Sequence, residues 1–552
     1  MTVVDENRDR PFAITLDVGS SLENETGSWR SERPIYVDLL PPCNKQCPAG
    51  ENIQQWLYHT EEGDYEAAWR EIMVNNPLPA VMGRVCYHTC QIACNRAKVD
   101  EAVGINAVER FLGDKALTEG WEVPVTAEPS GKKVLVVGAG PSGISAAYHL
   151  ARLGHSVTVR DEREKAGGMM RYGIPSYRLP RGILDGELNR IAKMGVTFEM
   201  NTHVNDLGSE LDNFDAVFLA VGAQIGKEVT IPAADPKNVV DAVELLRDVE
   251  VRGENVEGTK KSLAGRKVAV YGGGNTAIDA ARSAVRLGAD ETYIVYRRTR
   301  AQMPAHDFEV EEALEEGIKL VELRTVRQAM DGKLELEKME LDESGFPQPT
   351  GEHEELAADV LVFALGQEAD LGLLSGIEGI EMERGVVKIN NRMMTGHPGI
   401  FAGGDMVPRD KNVTAAIGHG KKAARNIDAW LRGEEYQEPA KPGDASIDRM
   451  TTWYYSDAPQ QIREKLEGPR RWNTFDEVVQ GLDEEGAVFE ARRCMSCGNC
   501  FGCDNCYGVC PDNAVLKIKA GEYEFKYEYC KGCGVCAEEC PCGAISMVPE
   551  EI

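Results

Sequence analysis

The sequence lacks cysteine over most of its length. It has 552 residues and 16 cysteines, but the 399 residues between Cys94 and Cys494 contain none. Five cysteines lie from Cys43 to Cys94 and eleven from Cys494 to Cys542. Cysteines that only fill hydrophobic cores would be scattered along the chain. Their separation predicts two metal-binding ends around a metal-free middle.

The sequence also lacks long apolar segments and an excess of basic residues, and both absences limit the class of protein. No apolar run approaches the ~20 residues of a membrane span, and the opening MTVVDENRDRPF has no apolar core of a secretory signal. Acidic residues outnumber basic ones: 90 Asp and Glu against 61 Lys and Arg give a net charge of −29. That charge repels nucleic acid and anionic lipid, and suits either a dispersed soluble protein or one that docks on a basic partner. We expect a cytoplasmic protein whose clustered, reduced cysteines bind metal.

Apolar periodicity and glycine-rich turns predict a multidomain α/β fold. The length indicates three or four domains. Residues 50–125 have helical spacing, and Gly63 separates two of the helices. Two stretches about 134 residues apart read strand, Gly-rich turn, helix, strand. We therefore expect two Rossmann-like dinucleotide-binding domains of the glutathione reductase type.

The first of these stretches, VLVVGAGPSG, contains a full dinucleotide-binding pattern. Gly138, Gly140 and Gly143 form G-x-G-x-x-G directly after an apolar strand. They allow a tight turn, close approach of a pyrophosphate and close helix packing. Asp161 ends the next strand, where an acid should hold a ribose hydroxyl. Glycines alone would also fit a turn in an unrelated α/β protein, but strand, helix and acid together predict a nucleotide.

The second stretch, VYGGGNTAIDAA, has G-x-G-x-x-A at Gly272, Gly274 and Ala277. Its second strand ends in Arg297 and Arg298 and not in an acid. An acid there would repel a 2′-phosphate, which an arginine accommodates. This favours NADP(H) over NAD(H), although a solvated surface pair of arginines would give the same pattern.

A third segment resembles the part of two-dinucleotide flavoproteins that closes over the flavin. IFAGGDMV places Gly404 and Asp405 at a strand end, and TAAIGHGKKAARNI then begins a helix near Ala415 and Ala416. The N-terminus of such a helix can offset negative charge on the reduced ring. An ordinary strand-to-helix turn would have the same periodicity.

The C-terminal end carries two runs of the pattern C-x2-C-x2-C-x3-C-P, which is typical of two-cluster ferredoxins. In such ferredoxins the fourth cysteine of each run serves the other cluster. One cluster should therefore be held by Cys500, Cys503, Cys506 and Cys540, and the other by Cys530, Cys533, Cys536 and Cys510. A zinc ribbon is the alternative, and two repeated runs argue against it.

Four motifs then carry a family resemblance. They are GGMMRYGIPSYRLP (167–180), AVGA (220–223), MPA (303–305) and FALGQEAD (363–370). From residue 43 to about 432 the chain resembles the small subunit of bacterial glutamate synthase. It also resembles the matching parts of dihydropyrimidine dehydrogenase and of the flavin-bifurcating ferredoxin–NADP oxidoreductases. The resemblance implies FAD in the first nucleotide unit, NADPH in the second, inserted unit, and two [4Fe-4S] clusters in a helical N-terminal domain.

The resemblance also implies site residues and domain limits. It places five residues near the flavin: Arg171, Tyr172, Ile174, Pro175 and Arg178. Further cofactor-binding candidates are Pro141, Ser142, Gly168, Val204, Gly222, Asn275, Thr276 and Gly366. The expected units are an extended arm (1–40), a helical two-cluster domain (41–127), an FAD domain (128–235 and 366–436), an NAD(P)H domain (236–365), a linker with a helical piece (437–490) and a two-cluster ferredoxin-like domain (491–552).

The N-terminal cysteines resemble half of the family's cluster motif: Cys43, Cys47, Cys86, Cys90 and Cys94. The family's upstream C-x2-C pair is absent, since no cysteine precedes Cys43. In the family one ligand is a carboxylate or an amide, and Glu109 in GINAVERF is the candidate. Two clusters need eight ligands, so two are still missing.

FEARRCMSC (489–497) supplies a pair that resembles the missing segment, displaced to the other end of the chain. We hypothesise that Cys494 and Cys497 fold back to join Cys43 and Cys94 in one cluster. The other cluster would then hold Cys47, Cys86, Cys90 and Glu109. The result is four [4Fe-4S] clusters with Cys542 left over; if Cys494 and Cys497 are free thiols, only three clusters form.

These patterns predict an FAD- and iron–sulfur-dependent NAD(P)H oxidoreductase without a catalytic acid or base. We expect it to exchange electrons, in either direction, with a redox protein or the catalytic subunit of a larger complex. The partner could be a ferredoxin, a glutamate synthase large subunit, a sulfite reductase-type enzyme or a 2-oxoacid oxidoreductase. Homo-oligomers are not excluded.

Three alternatives remain beside this prediction. An NADH-preferring subunit could serve a dissimilatory sulfite reductase-type or 2-oxoacid oxidoreductase partner. A dithiol reductase would need a cysteine pair beside the flavin, and residues 95–493 have none. A non-catalytic relay or scaffold would not need intact glycine-rich turns.

Overall fold

The computed structural model describes residues 25–227, 231–232, 238–252, 263–408 and 410–550. The expected arm over 1–40 lies partly outside this range. Its described part forms strand β1 (Glu32–Tyr36), which pairs antiparallel with the last strand of the chain. Glu32 lies opposite Pro549 and Tyr36 opposite Ile545. The described end of the arm is therefore part of the C-terminal domain's structure.

Residues 42–119 form the helical N-terminal part. Gly63 has φ +78° and separates the second and third helices, as its position in the sequence predicted. Trp69, Val81 and Met82 from this part pack in one core with Val134 and Phe218 of the first nucleotide sheet. The helices are α1 (Pro42–Gln46), α2 (Ile53–Glu61), α3 (Tyr65–Met73), α4 (Pro79–Val85), α5 (Thr89–Ile92) and α6 (Ile105–Glu119).

The first nucleotide-binding part begins with the predicted strand–turn–helix–strand unit. Its apolar run Val134–Val137 is buried on both faces, which is typical of a parallel sheet. The elements are β2 (Lys133–Val137), α7 (Pro141–Arg152), β3 (Ser156–Arg160), α8 (Met169–Tyr172), α9 (Arg181–Lys193), β4 (Thr197–Glu199), α10 (Leu207–Leu211), β5 (Ala216–Leu219) and β6 (Ile225–Gly226).

The second nucleotide-binding part is inserted after β6. It consists of β7 (Val239–Asp241), α11 (Ala242–Arg252), β8 (Lys267–Tyr271), α12 (Asn275–Arg286), β9 (Glu291–Tyr296), α13 (Asp307–Glu315), β10 (Lys319–Glu322), β11 (Arg324–Met330), β12 (Lys333–Leu341), β13 (Pro347–Ala357) and β14 (Val360–Phe363). A five-stranded parallel sheet has the order β10-β9-β8-β14-β7, and β11-β12-β13 form a separate antiparallel sheet.

The chain then returns to the first part with β15 (Gln367–Glu368), β16 (Met382–Glu383), β17 (Val386–Val387), β18 (Ile400–Ala402) and α14 (Val413–Leu431). Strand β18 completes a parallel sheet of order β18-β5-β2-β3-β4. Helix α14 packs along α7. Both nucleotide-binding sheets thus have the predicted α/β architecture.

The segment 437–490, expected to be a linker, packs against other parts of the molecule. Phe475 and Val478 join the core of the second nucleotide-binding part, and the Val478 amide donates to the Tyr177 carbonyl at 3.0 Å. Its regular elements are α15 (Gly468–Asn473) and the start of α16 (Glu484–Arg492). The apolar residues in this segment explain why it is held to the surface.

The C-terminal part folds back on the N-terminal helices. Helix α16 packs against α2 and α6, and Ala491 lies in one core with Trp56 and Val108. The Gly104 amide donates to the Glu490 carboxylate at 2.6 Å. The remaining elements are α17 (Asn505–Val509), β19 (Val515–Lys519), β20 (Glu522–Phe525), α18 (Val535–Glu538) and β21 (Ile545–Pro549). None of the helices in the described parts of the chain has the length and apolarity to cross a membrane.

Candidate cofactor sites

The turn after β2 has the close contacts that its glycines suggest. Gly138 has φ +105°, and a Cβ there would lie 2.4 Å from the Ala220 carbonyl oxygen. A Cβ on Gly143 would lie 1.9 Å from the Gly138 carbonyl oxygen. A Cβ on Gly140 would meet nothing closer than 3.9 Å. The turn is therefore tight on its inner side and open at the N-terminus of α7, where an anion binds favourably.

Two adjoining cavities meet at this turn, because Gly138 and Asp161 line both. The larger, about 410 Å³, also contains Val204. The other, about 290 Å³, brings together many residues that the sequence predicted: Gly140, Pro141, Ser142, Gly168, Ile174, Arg178, Gly222, Asn275, Thr276, Gly404, Asp405 and Ala416. We call the two together the nucleotide groove. Its lining joins both nucleotide-binding parts of the chain.

Polar groups of the groove fit a bound dinucleotide. The Ser142 hydroxyl oxygen is buried without a hydrogen-bond partner and lies at the open end of the turn. Asp161 accepts the Ala139 amide at 2.7 Å and the Arg163 amide at 2.8 Å. Burial raises the pKa of Asp161 and of Asp405. Carboxyl groups that are buried beside an open groove are suited to accept ribose and ribityl hydroxyls.

Several predicted cofactor residues lie outside the groove. The Arg171 guanidinium donates to the Ala166 carbonyl at 2.7 Å and pairs with Asp185, so it faces protein groups. Arg178 lines the groove but is held by both carboxylate oxygens of Asp279 at 2.8 Å. The other residues that line neither cavity are Gly143, Tyr172, Pro175, Gly272, Gly274, Arg297, Arg298, Gly366 and Ala415.

The helix expected to begin near Ala415 and Ala416 starts earlier, at Val413. Asn412 caps it, and its side chain accepts the Ala415 amide at 2.8 Å. That amide is therefore engaged within the chain, and Ala416 lines the groove together with Asn412 and Val413. An Asn directly before a periodic apolar run is itself a helix-start signal in the sequence.

Further groove residues are not among the predicted site residues, although Gln367 lies in the motif FALGQEAD. Tyr87 follows Cys86 in the N-terminal part, and its hydroxyl accepts the Asn275 side-chain amide at 2.7 Å. Gln367 donates to the Thr276 hydroxyl at 3.1 Å. These contacts join segments that are far apart in sequence, so only the tertiary fold reveals them.

The second glycine-rich turn has the same form as the first. A Cβ on Gly272, which has φ +152°, would lie 2.2 Å from the Ala364 carbonyl oxygen, whereas Gly274 has open space. At the end of β9, Arg297 is exposed and Arg298 is half-buried. The Arg298 Nε is buried without a hydrogen-bond partner. The Arg298 guanidinium lies over the Phe346 ring, 5.8 Å from its centroid, and the exposed side chain of Arg297 is accessible to an anionic group.

The N-terminal cysteines fall into two groups. In the first, burial raises the pKa of the Cys43 thiol, and three thiols raise it further: Cys494, Cys94 and Cys497. In the second, burial raises the pKa of Cys47 and Cys86, and Glu109 acts on both. Cys90 lies between the two groups: Cys86, Cys47 and Cys43 all act on its thiol, and it shares a core with Cys43. Cys494 and Cys497 thus lie beside Cys43 and Cys94.

The Glu109 carboxyl is buried with the second group. The Asn76 side chain donates to Glu109 Oε1 at 2.8 Å and to Glu51 Oε1 at 3.0 Å. Burial raises the pKa of Glu109 well above its ordinary range, and the neighbouring Glu51 raises it further. A bound cation would favour the ionised form of this buried carboxyl. The carboxyl and the three neighbouring thiols therefore suit a site that binds a cationic group.

The C-terminal cysteines also form two groups, and each takes its fourth member from the other run. Cys500, Cys503 and Cys506 have Cys540 as a neighbour. Cys530 and Cys536 have Cys510 and Cys533 as neighbours. Cys542 lies with its sulfur 3.8 Å from that of Cys540. A hydrogen bond from Cys542 lowers the pKa of the Cys540 thiol.

Among the described residues, no three Cys, His, Asp or Glu side chains converge closely enough to hold a single metal ion. Thiolates of a [4Fe-4S] cluster bind different irons, so they surround a space and do not meet at one point. Thiols are the donor type that such clusters need. The donor chemistry therefore fits clusters better than an isolated ion.

Comparison with known proteins agrees with this chemistry. A model of the pyridine nucleotide-disulphide oxidoreductase family matches residues 132–420. The chain belongs to that family. The match covers both dinucleotide-binding parts of the chain. Residues 95–493 contain no cysteine pair that could carry out disulphide chemistry. Models of dihydropyrimidine dehydrogenase domain II with a 4Fe-4S cluster and of a 4Fe-4S binding domain match residues 19–121 and 523–546.

Similar curated proteins are redox subunits. The chain is 36% identical to the β subunit of NADP(+)-dependent formate dehydrogenase from Moorella thermoacetica, over 83% of this chain and 71% of that one. It is 32% identical to the β subunit of NADPH-Fe(3+) oxidoreductase from Geobacter sulfurreducens, over 84% and 76%. It is 32% identical to the small chain of Escherichia coli glutamate synthase [NADPH], over 71% and 89%. The expected family resemblance is confirmed.

Among solved structures, the chain is similar to Mycobacterium tuberculosis FprA in complex with NADPH, with 20% identity, a TM-score of 0.46, and coverage of 56% of this chain and 88% of that one. From its own architecture and its family, the chain is an NAD(P)H oxidoreductase with an FAD/NADP-binding core and 4Fe-4S domains at both ends. The predicted fold class and enzyme class are confirmed.

Proposed function

We propose that this chain carries electrons between NADP(H) and a redox partner through FAD and four [4Fe-4S] clusters. It acts as the electron-input subunit of a larger redox system. The proposal is supported by the donor chemistry of the two cysteine-rich ends, where fifteen thiols and Glu109 would form four sets of four ligands. When bound, FAD exchanges a hydride with NADPH and the clusters carry single electrons.

The nucleotide groove would hold FAD. Gly138 and Gly140 leave room for its pyrophosphate at the N-terminus of α7, and Asp161 and Asp405 accept its hydroxyls. The unpartnered Ser142 hydroxyl would gain a partner there, which supports the fit. The Arg298 guanidinium, whose Nε is also unpartnered, would bind the 2′-phosphate of NADP(H) at the second turn.

Four ligand sets follow from the donor groups. They are Cys43, Cys94, Cys494 and Cys497; Cys47, Cys86, Cys90 and Glu109; Cys500, Cys503, Cys506 and Cys540; and Cys530, Cys533, Cys536 and Cys510. The second set adjoins the groove, since Cys86 contacts α14 through Thr414. The first and third sets are joined through the backbone, because only Gly498 and Asn499 separate Cys497 from Cys500. Electrons therefore have a continuous path from the groove to the C-terminal part.

The relatives support a partner-bound subunit, because each is named as a subunit or chain of a larger redox enzyme. The partner of this chain would be a formate dehydrogenase-type catalytic subunit, a ferredoxin, a glutamate synthase large subunit, a sulfite reductase-type enzyme or a 2-oxoacid oxidoreductase. The NADP-dependent names of these relatives and the two arginines after β9 favour NADPH over the NADH-preferring alternative.

Anaerobic titration of the reconstituted protein with NADPH tests the proposal. We expect bleaching of the flavin absorbance, followed by electron paramagnetic resonance signals of reduced clusters, and about 16 iron atoms per chain at four per cluster. A flavin that NADPH does not bleach would contradict the enzyme and favour the relay or scaffold. An iron content near 12 would leave only three clusters.

A further inference from the structure

An exposed aromatic pair lies on the C-terminal part of the molecule. Trp453 and Tyr454 stack with ring centroids 4.0 Å apart, and 71% of Trp453 is open to solvent. Thr451 donates to the Glu538 carbonyl at 2.6 Å, and the Tyr454 hydroxyl donates to the Glu539 carboxylate at 2.5 Å. These bonds fix the pair beside the end of α18. An ordered, exposed Trp–Tyr stack is typical of a surface that contacts another protein.

The pair lies beside a proposed cluster. Glu539, which accepts the Tyr454 hydroxyl, directly precedes Cys540, and its carbonyl accepts the side chain of Asn505 at 3.2 Å, in the segment that carries Cys503 and Cys506. Of the sixteen cysteines three are exposed, and two of them, Cys500 and Cys503, belong to the set nearest this pair. An electron that leaves this set therefore has only a short distance to travel to the protein surface, where the aromatic pair lies.

The surroundings of the pair are acidic. Asp504 directly follows Cys503, and Asp38 precedes Leu39, whose backbone bonds to Gly498 and Asn499 beside Cys500. Glu538 is exposed, and Glu539 lies under the Tyr454 hydroxyl. Of these four carboxylates, Asp504 pairs with Lys517 at 2.8 Å. Together with the net charge of −29, this composition makes the surface attractive to a basic protein and repellent to an acidic one.

We propose that this face, formed by Trp453, Tyr454 and the exposed edge of Cys500 and Cys503, is where the redox partner docks. The inference rests on the proposed function. The partner it fits is a one-electron redox protein, or subunit, that surrounds the exposed edge of its own cofactor with Lys and Arg. The aromatic pair supplies the central contact, since Trp and Tyr dominate interface energies. The carboxylates orient the partner and speed its approach.

A basic cytochrome c serves as the probe, with ferricyanide as a small acceptor that needs no docking. One NADPH becomes NADP⁺ and a proton and gives two electrons, so two cytochrome c molecules gain one electron each. In the reconstituted protein we expect Trp453→Ala to lower kcat/KM for cytochrome c about tenfold or more, with ferricyanide rates unchanged. Tyr454→Ala should act in the same direction. Met382→Ala, an exposed apolar residue in the distant hairpin of β16 and β17, is the matched control and should change neither rate.

The ionic strength dependence gives a second readout. The cytochrome c rate should fall as salt rises, and Glu538→Gln should make that dependence shallower. If Trp453→Ala and Tyr454→Ala leave the cytochrome c rate at the wild-type level, the docking face is wrong. If the wild-type protein reduces ferricyanide but not cytochrome c, the proposal that the partner is basic is wrong. If NADPH reduces neither acceptor, the proposed function itself fails.

Discussion

The Thr414 hydroxyl donates a hydrogen bond to the sulfur of Cys86 over 3.2 Å. Thr414 lies in the first turn of α14, between Val413 and Ala416, which line the nucleotide groove. Cys86 follows the last residue of α4 in the N-terminal part. One helical turn therefore contacts both the groove and a thiol of the second ligand set. This contact is a direct physical link between the two proposed cofactor sites.

Thr414→Val removes this donor while keeping the shape of the side chain. Hydrogen bonds to ligand sulfurs help to set cluster potentials, so we expect the potential of the adjacent cluster to fall by on the order of tens of millivolts. A redox titration followed by electron paramagnetic resonance measures the shift. Thr414→Ser keeps the hydroxyl and is the control. Equal potentials in all three proteins would show that the bond does not reach a cluster ligand.

Cys494→Ser tests the fold-back of the C-terminal pair. Because Cys494 lies beside Cys43 in the first group, its loss should remove one cluster and lower the iron content from about 16 to about 12 per chain. Cys542→Ser is the matched control, since Cys542 is a buried cysteine outside the four sets and should leave iron unchanged. Unchanged iron in Cys494→Ser would make the four-cluster assignment wrong.

Local patterns explain what the sequence could predict. Gly138 and Gly272 are required by the backbone of their own turns, where a Cβ would collide with a carbonyl oxygen 2.4 Å or 2.2 Å away. The ferredoxin runs have fixed spacing, because a short loop must supply three ligands. Such constraints act within a few residues, so they can be read without the fold.

Contacts between distant segments could not be predicted in this way. Tyr87 reaches the groove, and Thr414 reaches Cys86, only because α4 and α14 pack together. Arg171 was placed near the flavin by resemblance, yet its guanidinium is held by Ala166 and Asp185. Phe475 packs in a nucleotide-domain core although its segment has a linker composition. For Tyr87, Thr414 and Phe475 the partner lies far away in sequence and leaves no periodic signal. Arg171 is held by groups only 5 and 14 residues away, which no periodic pattern marks either.

Arg298→Ala tests the preference for NADPH. A charged hydrogen bond contributes about 1.5–3 kcal/mol, so we expect KM for NADPH to rise about tenfold or more while KM for NADH stays constant. Arg297→Ala should have a smaller effect, since that side chain is exposed and screened. Steady-state kinetics with both nucleotides measure the difference. A protein that already prefers NADH would refute the role of both arginines.

Glu187 is a fully buried carboxyl on α9, and its charge acts on the Glu109 carboxyl of the second ligand set. Its Oε1 accepts the Ala80 amide at 3.1 Å, and the Arg190 guanidinium lies 3.5 Å away. Burial raises its pKa to about 7, and Arg190 only partly opposes that shift. The native state thus keeps a proton that the unfolded chain releases near pH 4.5. The stability that this group contributes is complete below pH 4.5 and is lost as the pH rises through 7.

Glu187→Gln removes the ionisation and keeps an acceptor for the Ala80 amide. We therefore expect the variant to become more stable relative to wild type between pH 5 and pH 8, by on the order of 1 kcal/mol. Thermal unfolding of the reconstituted protein under anaerobic conditions measures this as a Tm difference that widens with pH. Glu122→Gln is the control, because exposed Glu122 has a pKa lowered by Lys193 and is ionised throughout this range. A constant Tm difference for Glu187→Gln would mean that the carboxyl is already ionised in the folded protein at pH 5, with its charge compensated by Arg190.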